Sequence, residues 1–297
     1  MAEGQDQAAI LLRDGRQIIA RGAVRARQPA FSITKMFVAV ACLRSAARGL
    51  LDLDDDAGRW SPVVPPDLPL RQLLGHTSGL ADYPSTRAYQ MALAADPAKP
   101  WPLEEILAVT VAQPRSVRGT VRYSNAGYWM VGAVLERASG AALADVLAAE
   151  VFRPADMAHT AYPDASTSLT PDGYSTLWAG PAGAVWSTAH DLDKFLAALL
   201  GGTLLTASGL AAMQEATPIR PHPPWPAPGY GLGLMTDDVL HSIGHGGNGP
   251  GYQTAAFARC DRHRSAVVLA PASAPQDAVG HAVAWLTSGE DVNQETE

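Results

Sequence analysis

A serine and a lysine stand three residues apart in Ser32-Ile33-Thr34-Lys35. On a helix, positions i and i+3 share one face, so the lysine amine can reach the serine hydroxyl. A helix start also offers free backbone N–H groups and the positive end of the helix dipole. Both favour negative charge on a serine oxygen or on an acyl oxyanion. Phe31, Met36 and Phe37 flank the pair and place Lys35 in apolar company. Desolvation lowers an amine's pKa, so Lys35 is expected to accept the serine proton. Of the 22 basic residues only Lys35, Lys99 and Lys194 are lysines. Arginine stays protonated in proteins, so only a lysine can serve as an amine base.

Two further groups carry chemistry. Tyr123-Ser124-Asn125 offers a phenol for proton relay and an amide for a substrate carbonyl, or else a buried tyrosine before an asparagine N-cap. His245-Gly246-Gly247-Asn248 ends a predicted strand, and its glycines let a substrate backbone lie against the strand edge. The N–H of Asn248 can then be a second oxyanion donor beside that of Ser32, while a plain glycine-rich hairpin turn is the alternative for Gly244 to Gly251. His76, after a helix stop at Gly75, reads as a residue that braces a loop, and His190 as a surface or cap residue. The sequence has no G-x-S-x-G elbow, H-E-x-x-H, P-loop or early G-x-G-x-x-G, so no metal or nucleotide cofactor is expected.

The elements that must position these groups follow from patterning. Apolar runs at 8–13 and 17–24 flank Asp14-Gly15, a hairpin signal. Phe31 to Gly49 reads as a largely buried helix with Gly49 as its stop. Further helices are expected at 70–74, 125–139, 141–151 and 191–200, the last capped by Ser187 or Thr188. After the proline-rich 218–228, strands are expected at 230–236, 239–245, 252–259 and 265–270, then a helix at 277–287. The fold class is therefore α+β, an α/β sandwich. Both chain ends form one antiparallel sheet with flanking helices (1–54 and 181–297), and 55–180 is an inserted, mostly helical domain.

Composition bounds the rest. The chain has 297 residues, 47% of them hydrophobic, enough for a large core. A net charge of -7 argues against a nucleic-acid partner. No apolar stretch approaches the roughly 20 residues of a membrane span. Cys42 and Cys260 are expected to be two reduced core thiols. The acidic, polar start lacks a signal pattern, so the sequence reads as cytoplasmic.

In the order S-x-x-K, Y-x-N, H-x-G the three motifs resemble those of the penicillin-recognising serine hydrolases. The similarity is to the branch of class C β-lactamases, D,D-peptidases, D-aminopeptidases and related esterases. Leu70 to Leu80, Tyr123 to Tyr128, Val151 to Met157 and Trp186 to Leu192 also look like stretches of that family. The resemblance implies a β-lactamase/transpeptidase-like fold. It implies Ser32 as acylated nucleophile, Lys35 as its base and Tyr123 as proton shuttle. Asn125 is then a substrate-amide contact, and His245, Gly247 and Asn248 form the substrate and oxyanion strand.

Two departures stand out. Only 31 residues precede Ser32, so the family's N-terminal helix is expected to be missing or short. A sheet face left to the last helix hints at a homodimer. The strand motif begins with His245 instead of lysine, and 230–247 holds no lysine or arginine. Histidine is mostly neutral at pH 7. A small neutral ester or amide is the expected partner, with weak or no β-lactamase activity. The alternative is a cytoplasmic acyltransferase passing the acyl group to a small alcohol or amine, and a silent binding module is a third reading.

Overall fold

The computed structural model describes residues 8–61, 64–261, 263–274 and 277–288. The chain opens with the hairpin β1 (Ala9–Asp14) and β2 (Gln17–Arg21), then the short β3 (Gln28–Pro29). A 3₁₀ turn, Phe31–Ile33, leads into α1 (Thr34–Ala47). The helical section follows with α2 (Leu70–Leu74), α3 (Arg87–Ala95), α4 (Leu103–Val111), α5 (Asn125–Ser139) and α6 (Leu143–Leu147). Next come β4 (Trp186–Ser187), α7 (Ala189–Leu200), α8 (Ala207–Gln214), β5 (Thr217–Pro218), β6 (Pro228–Tyr230) and β7 (Met235–Asp237). The chain closes with β8 (Ser242–Gly249), β9 (Tyr252–Arg259), β10 (Arg264–Pro271) and α9 (Ala278–Thr287).

Among the described residues, eight strands form one antiparallel sheet in the order β2-β1-β10-β9-β8-β7-β6-β5. Both chain ends meet in it, with Leu11 opposite Val267 and Leu12 opposite Ala266. The α+β expectation is met. Period-two alternation splits the strands' side chains between two cores. Leu11, Ala256 and Val267 join the large core with α1 and α7, while Leu12, Phe257 and Val268 pack under α9. Phe37 of α1 joins the helical section to the sheet side, its ring edge-on to Phe152 at 5.4 Å and to Phe195 at 4.7 Å.

The departures from the expected elements have local causes. The predicted strand 230–236 breaks between Tyr230 and Met235 because Gly233 turns with φ +74° against α1. A Cβ there would sit 2.6 Å from Ala39 Cβ and 2.8 Å from the Lys35 carbonyl. The predicted strand 239–245 begins only at Ser242, because the Asp237 carboxylate accepts from Val239 N and Leu240 N and holds a turn. Of the two cysteines only Cys42 is buried, and Cys260 is exposed, so the expectation of two core thiols holds for one. The predicted helix 141–151 is a short α-helix that widens into a π-turn over Ala148–Phe152. Thr188 is the cap of α7, accepting from Asp191 N.

Candidate active site

Ser32 sits in the 3₁₀ turn just before α1, held from both sides. Ala30 N donates to the Val185 carbonyl at 2.8 Å, and Thr254 Oγ1 donates to the Ala30 carbonyl at 3.1 Å. Phe31 has φ +45°, an unusual value for a side chain of its size. Its ring fills the space where a side chain on Gly249 would stand, 1.9 Å from a Cβ there. The next residue, Ser32, lines an open cavity.

Lys35, the second residue of α1 and one turn on from Ser32, is wholly buried. Its Nζ lies 3.0 Å from Ser32 Oγ, 2.7 Å from Asn125 Oδ1 and 2.8 Å from the Ala182 carbonyl. Burial lowers its pKa to about 7, and the Asp82 carboxylate offsets part of that fall. Tyr123 OH donates to Ser32 Oγ at 2.9 Å. Burial raises the Tyr123 pKa, so the phenol keeps its proton at neutral pH. The structure thus brings together Ser32, Lys35, Tyr123 and Asn125, from α1 and from the segment that starts α5.

Asn125 is held by Asp82. The Asp82 carboxylate accepts from Asn125 N at 2.8 Å and from Asn125 Nδ2 at 3.0 and 3.1 Å. The amide therefore turns its oxygen to the amine and its nitrogen to the carboxylate. Burial pushes the Asp82 carboxyl up, while the Asn125 hydrogen bonds and Lys35 pull it back.

His76 braces the site as expected. It is buried with φ +57°, its Nδ1 accepts from Ser124 N at 3.1 Å and its carbonyl accepts from Arg122 N at 2.8 Å. Its ring stacks 4.2 Å from Tyr123. Burial and the positive neighbour Lys35 keep it neutral.

The glycine-rich strand approaches from β8. Gly247 has no room for a side chain: a Cβ would lie 2.9 Å from Ser32 N and 2.4 Å from Thr254 Oγ1. Asn248 and Ser32 line one cavity of ≈ 310 Å³. His245 is buried outside that lining. Its Nδ1 faces the Gly246 carbonyl, which can only accept, so Nε2 takes a hydrogen bond from Tyr230 OH at 2.9 Å. Burial and Lys35 push the His245 pKa down to about 3, so it brings no positive charge to the site at pH 7.

Sequence reasoning missed Asp82, the Ala182 carbonyl and Tyr230. Asp82 lies in a loop after Ser78-Gly79-Leu80-Ala81, where a carboxylate carries no spacing signal. Among the described residues no group of acidic, histidine and cysteine side chains is placed to hold a metal. No helix among them is long and apolar enough to cross a membrane.

An antiparallel sheet backed by α9, with a serine, an amine and a phenol gathered beside its strand β8, defines a penicillin-binding-protein-like α+β protein. A family model described as Beta-lactamase matches residues 4–289, and the chain belongs to that family. Penicillin-binding protein 4* of Bacillus subtilis is 29% identical over 141 residues, covering 43% of this chain and 29% of that protein. Esterase EstB of Burkholderia gladioli is 28% identical over 272 residues, covering 86% of this chain and 66% of EstB. The chain thus spans less than two thirds of the length of either curated relative. A D-stereospecific amidohydrolase from Streptomyces has a solved structure that superposes with a TM-score of 0.77 at 29% identity, covering 88% of each chain.

Proposed function

We propose that the protein is a serine hydrolase that forms an acyl-serine at Ser32 and hydrolyses a small, uncharged ester or amide. The observation that carries this reading is the hydrogen-bond count at Lys35. A neutral amine has two hydrogens and one lone pair. The hydrogens have acceptors in Asn125 Oδ1 at 2.7 Å and the Ala182 carbonyl at 2.8 Å. The lone pair is left for the Ser32 hydroxyl at 3.0 Å. With a pKa near 7 the amine is a base matched to neutral pH.

The reaction then balances as follows. Ser32 Oγ attacks the substrate carbonyl carbon while its proton passes to Lys35 Nζ. The N–H groups of Ser32 and Asn248 receive the developing oxyanion. The bond to the leaving alcohol or amine breaks, and that group takes a proton from Tyr123, which Lys35 replaces. Water gives a proton to the same pair and attacks the acyl carbon. The acid departs and Ser32 recovers its proton. Residues 1–54 and 181–297 would supply Ser32, Lys35 and the β8 strand, and the inserted 55–180 would supply Tyr123 and Asn125.

EstB and the Streptomyces amidohydrolase support an esterase or amidase reading. The neutral His245 supports weak or no action on β-lactams, whose carboxylate wants a fixed cation. Intact-mass measurement after exposure to a fluorophosphonate tests the reading. One adduct is expected on the native protein and none on Ser32→Ala. A native protein that stays unlabelled overturns it.

A further inference from the structure

The ≈ 310 Å³ cavity beside Ser32 has an uncharged wall, with aromatic rings on much of it and the polar Ser32, Gln90, Asn125 and Asn248 among its lining. Phe31, Tyr83, Tyr89, Tyr174 and Leu93 surround it, and no lysine, arginine, histidine or carboxylate is among the described residues that line it. Its phenols are turned to the protein. Tyr83 OH donates to the Trp178 carbonyl at 3.0 Å and accepts from Trp129 Nε1 at 3.1 Å. The phenol groups of Tyr89 and Tyr174 face one another. The cavity therefore meets ring faces and edges, with Gln90 exposed at its side. The rings are fixed: Tyr83 and Tyr89 pack edge to face at 5.0 Å, and Phe31 lies 6.4 Å from Tyr174. The volume is at the small end for ligand sites, enough for one ring and its tether.

Position decides which half of a substrate enters. Tyr123, which protonates the leaving group in the proposed reaction, is not part of this lining and packs beside His76 and Tyr230. The cavity opens instead on the Asn125 and Phe31 side of the serine. The leaving group belongs on the Tyr123 side, so the cavity is left for the part that stays on Ser32.

We propose that this cavity is the acyl pocket and that it selects an uncharged aromatic acyl group. The inference rests on the serine-hydrolase reading and narrows its substrate class. Aromatic rings prefer offset or edge-on partners, which four fixed rings supply, and a charged acyl group would lose hydration there without an opposite charge to meet it.

The test holds the leaving group constant. The p-nitrophenyl esters of acetate, phenylacetate and succinate are compared by kcat/KM, each divided by the ester's own hydroxide-catalysed rate constant. Phenylacetate is expected to exceed acetate by roughly tenfold to a hundredfold, the worth of burying one ring, and succinate to fall below acetate. Leu93→Trp, which fills the pocket, is expected to lower the phenylacetate-to-acetate ratio at least tenfold. Equal rates for acetate and phenylacetate in the native protein overturn the pocket and leave the hydrolase reading standing. Faster turnover of succinate overturns it too, and points to recruitment of Arg122, a cation outside the lining. Absence of any turnover above the Ser32→Ala background overturns the hydrolase reading and the inference with it.

Discussion

Replacing Asp82 by asparagine separates charge from shape at the amine. Asp82 reaches Lys35 only through Asn125, by a bond to Nδ2 and another from Nζ to Oδ1. Its negative charge favours the protonated amine, whereas burial opposes it, and the balance puts Lys35 near 7. The other titratable groups facing the amine are Tyr123 and Tyr128, neutral phenols at this pH, and His76 and His245, which burial holds neutral. Two unit charges roughly 6 Å apart, the span of two hydrogen bonds through an amide, interact by about 3 kcal/mol at an effective dielectric near 20. That figure corresponds to about two pKa units. Asp82→Asn removes the carboxylate, so the Lys35 pKa falls. The group that must be neutral in the free enzyme then loses its proton at lower pH, and the acid limb of kcat/KM moves from near pH 7 toward pH 5–6, by about one to two units. The plateau also falls, because the new Nδ2 cannot accept from Asn125 Nδ2 and one buried hydrogen bond is lost. Kinetics from pH 5 to 9 on one p-nitrophenyl ester measure both effects. A limb that stays within 0.3 units of the native one, or moves to higher pH, refutes the assignment of Asp82 as the charge that sets the amine.

Three other outcomes are expected. In the native protein, kcat/KM rises with pH through about 7 as Lys35 loses its proton, and a flat profile between pH 6 and 8 excludes it as the base. Gly247→Ala forces a methyl to within 2.9 Å of Ser32 N, so kcat/KM should fall by about a hundredfold while the thermal midpoint moves by only a few degrees. Phe37→Ala removes a ring wedged between Phe152 and Phe195 and should cost about 3–5 kcal/mol, read as a lower denaturant midpoint at constant slope.

What the sequence revealed, and what it hid, divides along the reach of local rules. Ser32 and Lys35 were legible because helix geometry alone brings i and i+3 together. The 125–139 helix was legible to the residue because Gly140 stops it with φ +69°. The role of His76 was legible from its place after a helix stop, since the chain must be pinned where it leaves α2. The strand break at Gly233 was not, because its turn is imposed by α1, which lies some two hundred residues earlier in the chain.

Asp82 and Ala182 were hidden for a deeper reason. The amine at position 35 needs two acceptors, and a main-chain carbonyl supplies one of them. Every residue has such a carbonyl, so no letter in the sequence can announce it. The other acceptor, Asn125, needs its amide pinned, and any acidic residue that the fold delivers to within 3.0 Å would serve. Motifs therefore report the groups whose chemistry restricts residue type. The groups that set their protonation are chosen by tertiary geometry, which is why removing a charge at position 82 probes the site more sharply than another change at position 32.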